Sequence, residues 1–420
     1  MRKTVRKGET ITLTDMDRHR LSFRDHSERL SVEFETLRDI LARAKENSEY
    51  YRRTLADVDP AGIQTMKDLA KLPLLRKSEL PGIQAENPPL GGINTVPLQN
   101  FSRIYSSPGP INEPELSWPD YWRSREALFA AGFTPEDRIL NCFAYHGTPA
   151  GFMLDSGAIE LGCLVYPGGT GNTEGQARAI QTFGLTGYTG TPDFLKVILQ
   201  AADKAGIVTT SLTKALFTGG YLSPELIEFY ASRGITSFQC FGTADLGIVA
   251  YESKPGDGMI VCDGVLIEIL DPVTGLHTES EKGDLVITSL TPEYPLIRFM
   301  TGDLSRILPG ISQCGRTNTR IAGWLGRSDE SVKVKGMFIR PGQIRLLMSE
   351  FPGIKAANLT VGRKNDMDSM ALLVHGANLN LDEISAGLQR ITGMKGQVTE
   401  VAPDKIDSAK TIIDLREQQK

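Results

Sequence analysis

Asp303 closes the stretch Thr301-Gly302-Asp303. A carboxylate there can accept hydrogen bonds from two neighbouring hydroxyls. The plainer alternative is a turn, which Gly-Asp pairs commonly supply. Gly219-Gly220-Tyr221 follows the apolar run Ala215–Phe217 and precedes Ser223-Pro224, a helix start. Tyr221 could stack on a flat ring, or the glycines serve only a strand-to-helix turn. Arg327, in Gly326-Arg327-Ser328, offers a planar fork of donors suited to hydroxyls or phosphate. A plain salt bridge is its alternative, and Arg298 and Arg316 share that ambiguity. His146, in Ala144-Tyr145-His146-Gly147, follows a predicted strand and opens a Gly-rich stretch. With Phe143 and Tyr145 it could line a pocket for an aromatic group, although a lone histidine is usually structural.

These residues need a scaffold, and the chain is long enough to supply one. Its 420 residues allow two or three domains with their own cores. Hydrophobic residues make up 40% and charged residues 23%, as in ordinary globular proteins. A net charge of -5 provides no basic surface for nucleic acid, so no nucleic-acid partner is expected. No apolar run is long enough to span a bilayer, and no membrane association is expected. The basic start is followed by Thr, Asp and Arg rather than an apolar stretch, so no targeting segment is expected. The five cysteines are scattered without a C-x-x-C pair, which reads as free thiols in a reducing cytoplasm.

Residues 27–58 carry a helical period, with Leu30, Phe34, Leu37 and Leu41 on one face. Residues 67–80 read as a short helix ended by Pro73, with Ser78 capping a new turn, and 81–120 as loop. From 124 to 250 helices and strands alternate. The helices are Ser124–Ala131, Ala150–Leu161, Thr173–Phe183 and Asp193–Ala205. The strands are Arg138–Phe143, Cys163–Tyr166, Leu185–Tyr188 and Ala215–Phe217. That alternation predicts an α/β layer with mostly parallel strands and ligands beyond their carboxyl ends. After 258 short β-type runs at Val265–Leu270, Asp284–Ser289 and Leu296–Phe299 predict a β-rich subdomain to about 328. The expected division is a large domain over 1–329 and a small α+β domain over 330–420, with helices at Pro341–Ser349 and Leu381–Ile391.

In order along the chain, several segments resemble the phenylacetate-CoA ligase branch of the acyl-adenylate-forming ligases. They are Tyr50-Tyr51-Arg52-Arg53, the run Asp68 to Pro73, Phe241-Gly242-Thr243-Ala244-Asp245, Arg298 to Asp303, Cys314 to Thr317, Gly326 to Asp329 and Val332 to Gly336. No single piece is specific; the order and spacing together are. The resemblance implies a ligase that joins a small, possibly aromatic carboxylic acid to ATP as an acyl-adenylate. Coenzyme A then displaces AMP. It implies a small C-terminal domain that rotates between the two steps, with Asp329 at the hinge. By the same likeness Asp303 binds the ribose, and Gly219, Gly220 and Tyr221 meet the adenine. Phe241, Gly242 and Thr243 form the next nucleotide loop, and Arg327 reaches the ribose or α-phosphate. Asp245 stands where a Mg²⁺ ligand is expected, Tyr145 and His146 would line the acyl pocket, and a homodimer is reasonable.

Two departures from the family pattern matter. The phosphate loop is reduced to Ser106, Ser107 and Gly109, its lysine is missing, Pro108 and Pro110 remove donors, and Glu113 adds an acid. Near the C-terminus, alignment on Ile412-Ile413-Asp414 puts Ser408 at the expected catalytic lysine. Lys410, two residues on, is the candidate substitute, ahead of Lys405. A structural zinc site of some relatives lacks its ligands here, so no zinc is expected. The main reading is therefore an AMP-forming acid–thiol ligase. The alternatives are an adenylation-deficient protein that binds nucleotide or acyl-CoA, and an adenylate-forming enzyme with another acceptor, such as a cofactor adenylyltransferase.

Overall fold

The computed structural model describes residues 25–107, 110–272, 274–278, 281–328, 332–334, 337–364, 367–407 and 410–416. The first helix, α1 (His26–Asn47), buries Phe34, Leu37, Ile40 and Leu41 and is capped by Asp25. A second, α2 (Glu49–Thr54), follows at once. Two short helices, α3 (Met66–Leu69) and α4 (Leu80–Glu86), flank the two-residue strand β1 (Leu75–Arg76). The start of α4 differs from expectation: Glu79 holds the cap position without a side-chain bond, and Ser78 does not cap it. The segment read as loop over 81–120 also holds a hairpin, β2 (Arg103–Ser107) with β3 (Ile111–Glu115). Its prolines hid the strands from the sequence pattern.

The alternating segment forms as expected. Strands β4 (Arg138–Asn141), β5 (Leu164–Pro167), β6 (Gly187–Gly190) and β7 (Lys214–Phe217) are parallel, in the order β5-β4-β6-β7. Their helices are α5 (Ser124–Ala130), α6 (Ala150–Leu161), α7 (Thr173–Phe183), α8 (Pro192–Ala205) and α9 (Pro224–Ala231). On α8 the residues Leu195, Ile198, Leu199 and Ala202 recur at helical spacing and are buried, while Pro192 sits in the first turn, where its missing N–H costs nothing. The sheet continues parallel into β8 (Thr236–Thr243), then turns antiparallel through β9 (Gly247–Tyr251) and β10 (Met259–Val261).

A separate sheet runs β1, β13 (Phe299–Ser305), β12 (Gly283–Ser289), β11 (Val265–Leu270). Strands β14 (Ile307–Leu308) and β15 (Arg320–Ile321) close the edge of the large sheet, nine strands in all. The expected strand Leu296–Phe299 begins later, at Phe299, and runs on through Thr301-Gly302-Asp303. Asp303 is therefore a strand residue rather than a turn residue. Alternation along β13 turns Phe299, Thr301, Asp303 and Ser305 to the buried face.

The rest of the chain has its own hydrophobic core, made only of residues between Val332 and Ile412. Strands β16 (Val332–Val334) and β17 (Met337–Ile339) lead to α10 (Pro341–Glu350). The long hairpin β18 (Ile354–Lys364) and β19 (Met367–Gly376) packs with α11 (Leu381–Thr392). Strands β20 (Gln397–Glu400) and β21 (Ile412–Asp414) flank it in the order β20-β19-β18-β21. The whole is a mixed α/β protein. Among the described residues no helix is long and apolar enough to cross a membrane.

Candidate nucleotide site

Asp303 is 3% exposed. Its Oδ1 accepts from Arg327 at 2.9 Å and from the indole N–H of Trp324 at 3.1 Å. Arg327 also donates to the Thr301 carbonyl at 3.0 Å, and Asp303 and Arg327 form a backbone bridge. Both groups are thus fixed in place. Oδ2 accepts no hydrogen bond among the described residues. One carboxylate oxygen is held by the protein while the other keeps its acceptor capacity, which suits a ligand with vicinal hydroxyls. Trp324 was not singled out in the sequence; only its spacing from Arg327 could have suggested it.

Gly219-Gly220-Tyr221 turns from β7 into α9. Gly219 has φ +79°, and a Cβ on Gly220 would lie 2.9 Å from Pro192 Cδ. The turn therefore needs both glycines. Ser223 caps α9 by accepting from Leu226 N. Tyr221 is 40% exposed. Phe241, Gly242 and Thr243 end β8, with a register shift between Phe241 and Gly242. Phe241 is buried, and Thr243 Oγ1 accepts from Leu246 N at 3.2 Å, which fixes the turn that holds Asp245.

Asp245 is buried and forms an ion pair with Lys77, from the segment between β1 and α4. Its Oδ1 is buried with no hydrogen-bond partner. Glu113 lies close by and is 1% exposed. Burial first, and the Asp245 charge second, push its carboxyl up to about 8, against the opposing bonds from Ser107 and the charge of Lys77. Burial beside Asp245 thus disfavours the negative charge that the sequence placed at Glu113. Mg²⁺ takes oxygen ligands in a nearly ideal octahedron, commonly one or two carboxylates with waters and substrate phosphates. A lone buried carboxylate with one oxygen already paired to an ammonium does not fit a resident Mg²⁺. No trio of His, Cys, Asp or Glu suited to a metal occurs among the described residues. Lys77 lay between the helix read as ending at Pro73 and the turn read as starting at Ser78, and no signal in the sequence tied it to Asp245.

The candidate phosphate loop is the tip of the β2–β3 hairpin. The Ser107 hydroxyl donates to Glu113 Oε1, and its N–H donates to Oε2 at 3.2 Å. The Ser106 N–H donates to the Gly147 carbonyl at 2.8 Å, and its side chain is exposed. Gly109 lies outside the described residues, as do Asp329 and Ser408. Lys410 is exposed; its carbonyl accepts from Asn358 at 2.7 Å, and among the described residues its side chain makes no hydrogen bond or ion pair. The structure therefore does not bring Lys410 into the Asp303 cluster.

Tyr145 receives a hydrogen bond from Asn141 at 2.7 Å, donates to Asp155 at 3.3 Å and meets Phe152 edge to face at 5.2 Å. His146 beside it is exposed and makes no hydrogen bond among the described residues. Arg298 and Arg316 serve the fold. Arg298, at φ 48°, pairs with Glu268 at 2.9 Å and donates to the Ala70 and Leu72 carbonyls, tying the opening segment to β13. Arg316 pairs with Glu126 at 2.6 Å.

No family model matches the chain. Among curated proteins it is similar to a phenylacetate-coenzyme A ligase of Thermus thermophilus, 27% identical over 407 residues and 90% of each chain. A phenylacetate-coenzyme A ligase of Escherichia coli is 28% identical over 364 residues, 82% of each. The likeness read from the sequence motifs is borne out by these relatives. Among solved structures, a 2-hydroxyisobutyryl-CoA ligase with its acyl-adenylate and CoA, in the thioester-forming state, overlays with a TM-score of 0.86 at 22% identity, over 95% of this chain and 92% of that one. The same ligase in its open conformation and in its postadenylation state overlays at 0.70. The fold is that of the AMP-forming ligases.

Proposed function

We propose that this chain, a relative of the phenylacetate-CoA ligases on the fold of the AMP-forming ligases, activates a small carboxylic acid with ATP and passes the acyl group to coenzyme A. The observation that carries the reading is Asp303: one oxygen is fixed by Arg327 and Trp324 while the other has no hydrogen-bond partner among the described residues. In the first step a carboxylate oxygen of the acid attacks the α-phosphorus and pyrophosphate leaves. In the second the CoA thiolate attacks the acyl carbon, and AMP leaves with its phosphate oxygen carrying the electron pair. Asp303 Oδ2 would accept from the ribose hydroxyls. Arg327, held by Asp303 and the Thr301 carbonyl, keeps that carboxylate directed. Tyr221 and the Gly219-Gly220 backbone would pack on the adenine, next to the β8 end at Phe241, Gly242 and Thr243.

Tyr145, braced by Asn141 and Asp155, is the candidate wall of the acyl pocket, with His146 at its rim. Lys410 would bring its ammonium to the carboxylate and α-phosphate only through a swing of the C-terminal module, with Asp329 as hinge. Mg²⁺ would come with the ATP phosphates, since Asp245 is committed to Lys77. A cytoplasmic homodimer fits the free thiols and the family resemblance.

One observation favours a second reading, a homologue that binds nucleotide but has lost adenylation: both Ser107 donors turn inward to Glu113 instead of outward to phosphates. Pyrophosphate exchange over a panel of aromatic and short aliphatic acids, followed by CoA-thioester detection, separates the readings. Exchange and thioester formation with one acid support the ligase. Exchange without thioester points to another acceptor, such as a cofactor. No exchange, with AMP still bound by calorimetry, refutes the ligase reading in favour of the binding protein.

A further inference from the structure

Arg363 lies on β18, in the unit with its own core, while Tyr221 belongs to the turn after β7. The Arg363 guanidinium carbon nevertheless sits 4.6 Å from the centre of the Tyr221 ring, in cation–π range. The arginine is aimed there by its own unit. Asp368, its cross-strand partner on β19, lies 3.9 Å from Arg363 Nε. Asp368 in turn pairs with Arg416 at 2.8 Å, and Arg416 with Asp414 of β21 at 2.7 Å. Asp414 stands in register with Val361, two residues before Arg363. Charges therefore alternate from Asp414 on β21 through Arg416, Asp368 and Arg363 to the ring of Tyr221. The Arg363 side chain is 19% exposed, so its attraction to the ring is little screened.

We propose that Arg363 is a positioning residue: it latches the C-terminal module onto the Tyr221 turn and thereby favours the arrangement in which thioester formation occurs. The inference takes its chemistry from the ligase reading, but the latch itself stands on the geometry alone. Two features suit the role. The contact joins the module to the turn proposed to hold the adenine, so it would respond to what that turn binds. The overlay on the CoA-ligase structure described as thioester-forming is also fuller than on its open and postadenylation forms, 0.86 against 0.70. A rotation that brings Lys410 to the site has to part Arg363 from Tyr221. A cation–π contact of this kind holds one arrangement over the other by roughly five- to thirtyfold.

The test uses the full chain with nitroxide labels on Lys204→Cys and Ser349→Cys, both exposed, in a Cys314→Ser background whose other cysteines are buried. Pulsed spin-resonance distances are compared for the parent, Arg363→Ala and Arg363→Lys, without substrate. The latch predicts one dominant distance in the parent, a loss of that population by about fivefold or more in Arg363→Ala, and recovery of most of it in Arg363→Lys. An Arg363→Ala distribution that superposes on the parent's overturns the proposal. With an acid that supports exchange, Arg363→Ala should also slow thioester formation from preformed acyl-adenylate by about fivefold, leaving pyrophosphate exchange within about twofold. Equal losses in both steps would mark a structural role and overturn it too. If no acid exchanges in the parent, the ligase reading fails, and the distances still decide the latch.

Discussion

Replacing Asp303 by Asn tests the nucleoside clasp most directly. The change keeps the shape and removes the charge. Arg327 then faces a neutral amide, but still donates to the Thr301 carbonyl at 3.0 Å, so it is not left without a partner. On the ligand side, a ribose hydroxyl loses a charge-assisted hydrogen bond, a loss of about 1.5–3 kcal/mol. At about 1.4 kcal/mol for each factor of ten, AMP should bind roughly 10- to 150-fold more weakly. Calorimetric titration with AMP measures this, with circular dichroism to show that Asp303→Asn stays folded. A general loosening of β13 could weaken AMP as well, so the same titrations are run with 2′-deoxy-AMP and 3′-deoxy-AMP. The parent should lose affinity when the hydroxyl that meets Asp303 is removed; the variant, with no charge there, should discriminate much less. Equal discrimination by parent and variant would refute the clasp, and so would AMP binding unchanged within about twofold.

The buried acids make two further predictions. Glu113 holds a proton in the folded chain up to about pH 8, whereas an unfolded Glu releases it near 4.5, so the folded state binds more protons in between. Its contribution is complete below about 4.5 and is lost as pH rises through 8. Melting temperature should therefore fall from pH 5 to 9, and Glu113→Gln should flatten that slope. Glu33, pushed up to about 7 chiefly by burial, titrates in the same window, so the slope should shrink rather than vanish. An unchanged slope in Glu113→Gln would contradict the assignment. Lys77→Met should cost about 3–5 kcal/mol in urea unfolding, because Asp245, 1% exposed at its side chain, loses its partner charge. Adding Asp245→Asn should regain much of that loss; if it regains nothing, the pair is not what holds the segment in place.

The same contrast, local pattern against distant contact, explains what the sequence could disclose. The alternating helices and strands from 124 to 250 were legible because each element carries its own period, as α8 does through Leu195, Ile198, Leu199 and Ala202. Gly219-Gly220 was legible too, since backbone sterics demand glycine at that turn. The β2–β3 hairpin was not, because prolines at 108, 110 and 114 mask a strand pattern that only pairing across the hairpin reveals. Thr301-Gly302-Asp303 misled for a related reason. Gly-Asp is good turn chemistry, but pairing with β12 on either side of a register shift, together with the bridge from Asp303 to Arg327, keeps the stretch within β13 and turns the carboxylate inward.

Electrostatic partners lie furthest from view. Lys77 and Asp245 are 168 positions apart, and Arg363 on β18 meets Tyr221 from the turn after β7. Such pairs leave no mark on local composition, yet they decide what the site can do. Lys77 engages one oxygen of the Asp245 carboxylate and adds a positive charge where a metal would sit; by burying Glu113 against Ser107, the hairpin turns inward the donors that phosphates would need. On the proposed reading, those two burials leave a site better furnished toward the nucleoside than toward the triphosphate. Any adenylation by this chain must therefore draw its positive charge at the phosphates from outside the hairpin, from the metal carried by ATP or from a lysine brought in by the C-terminal module.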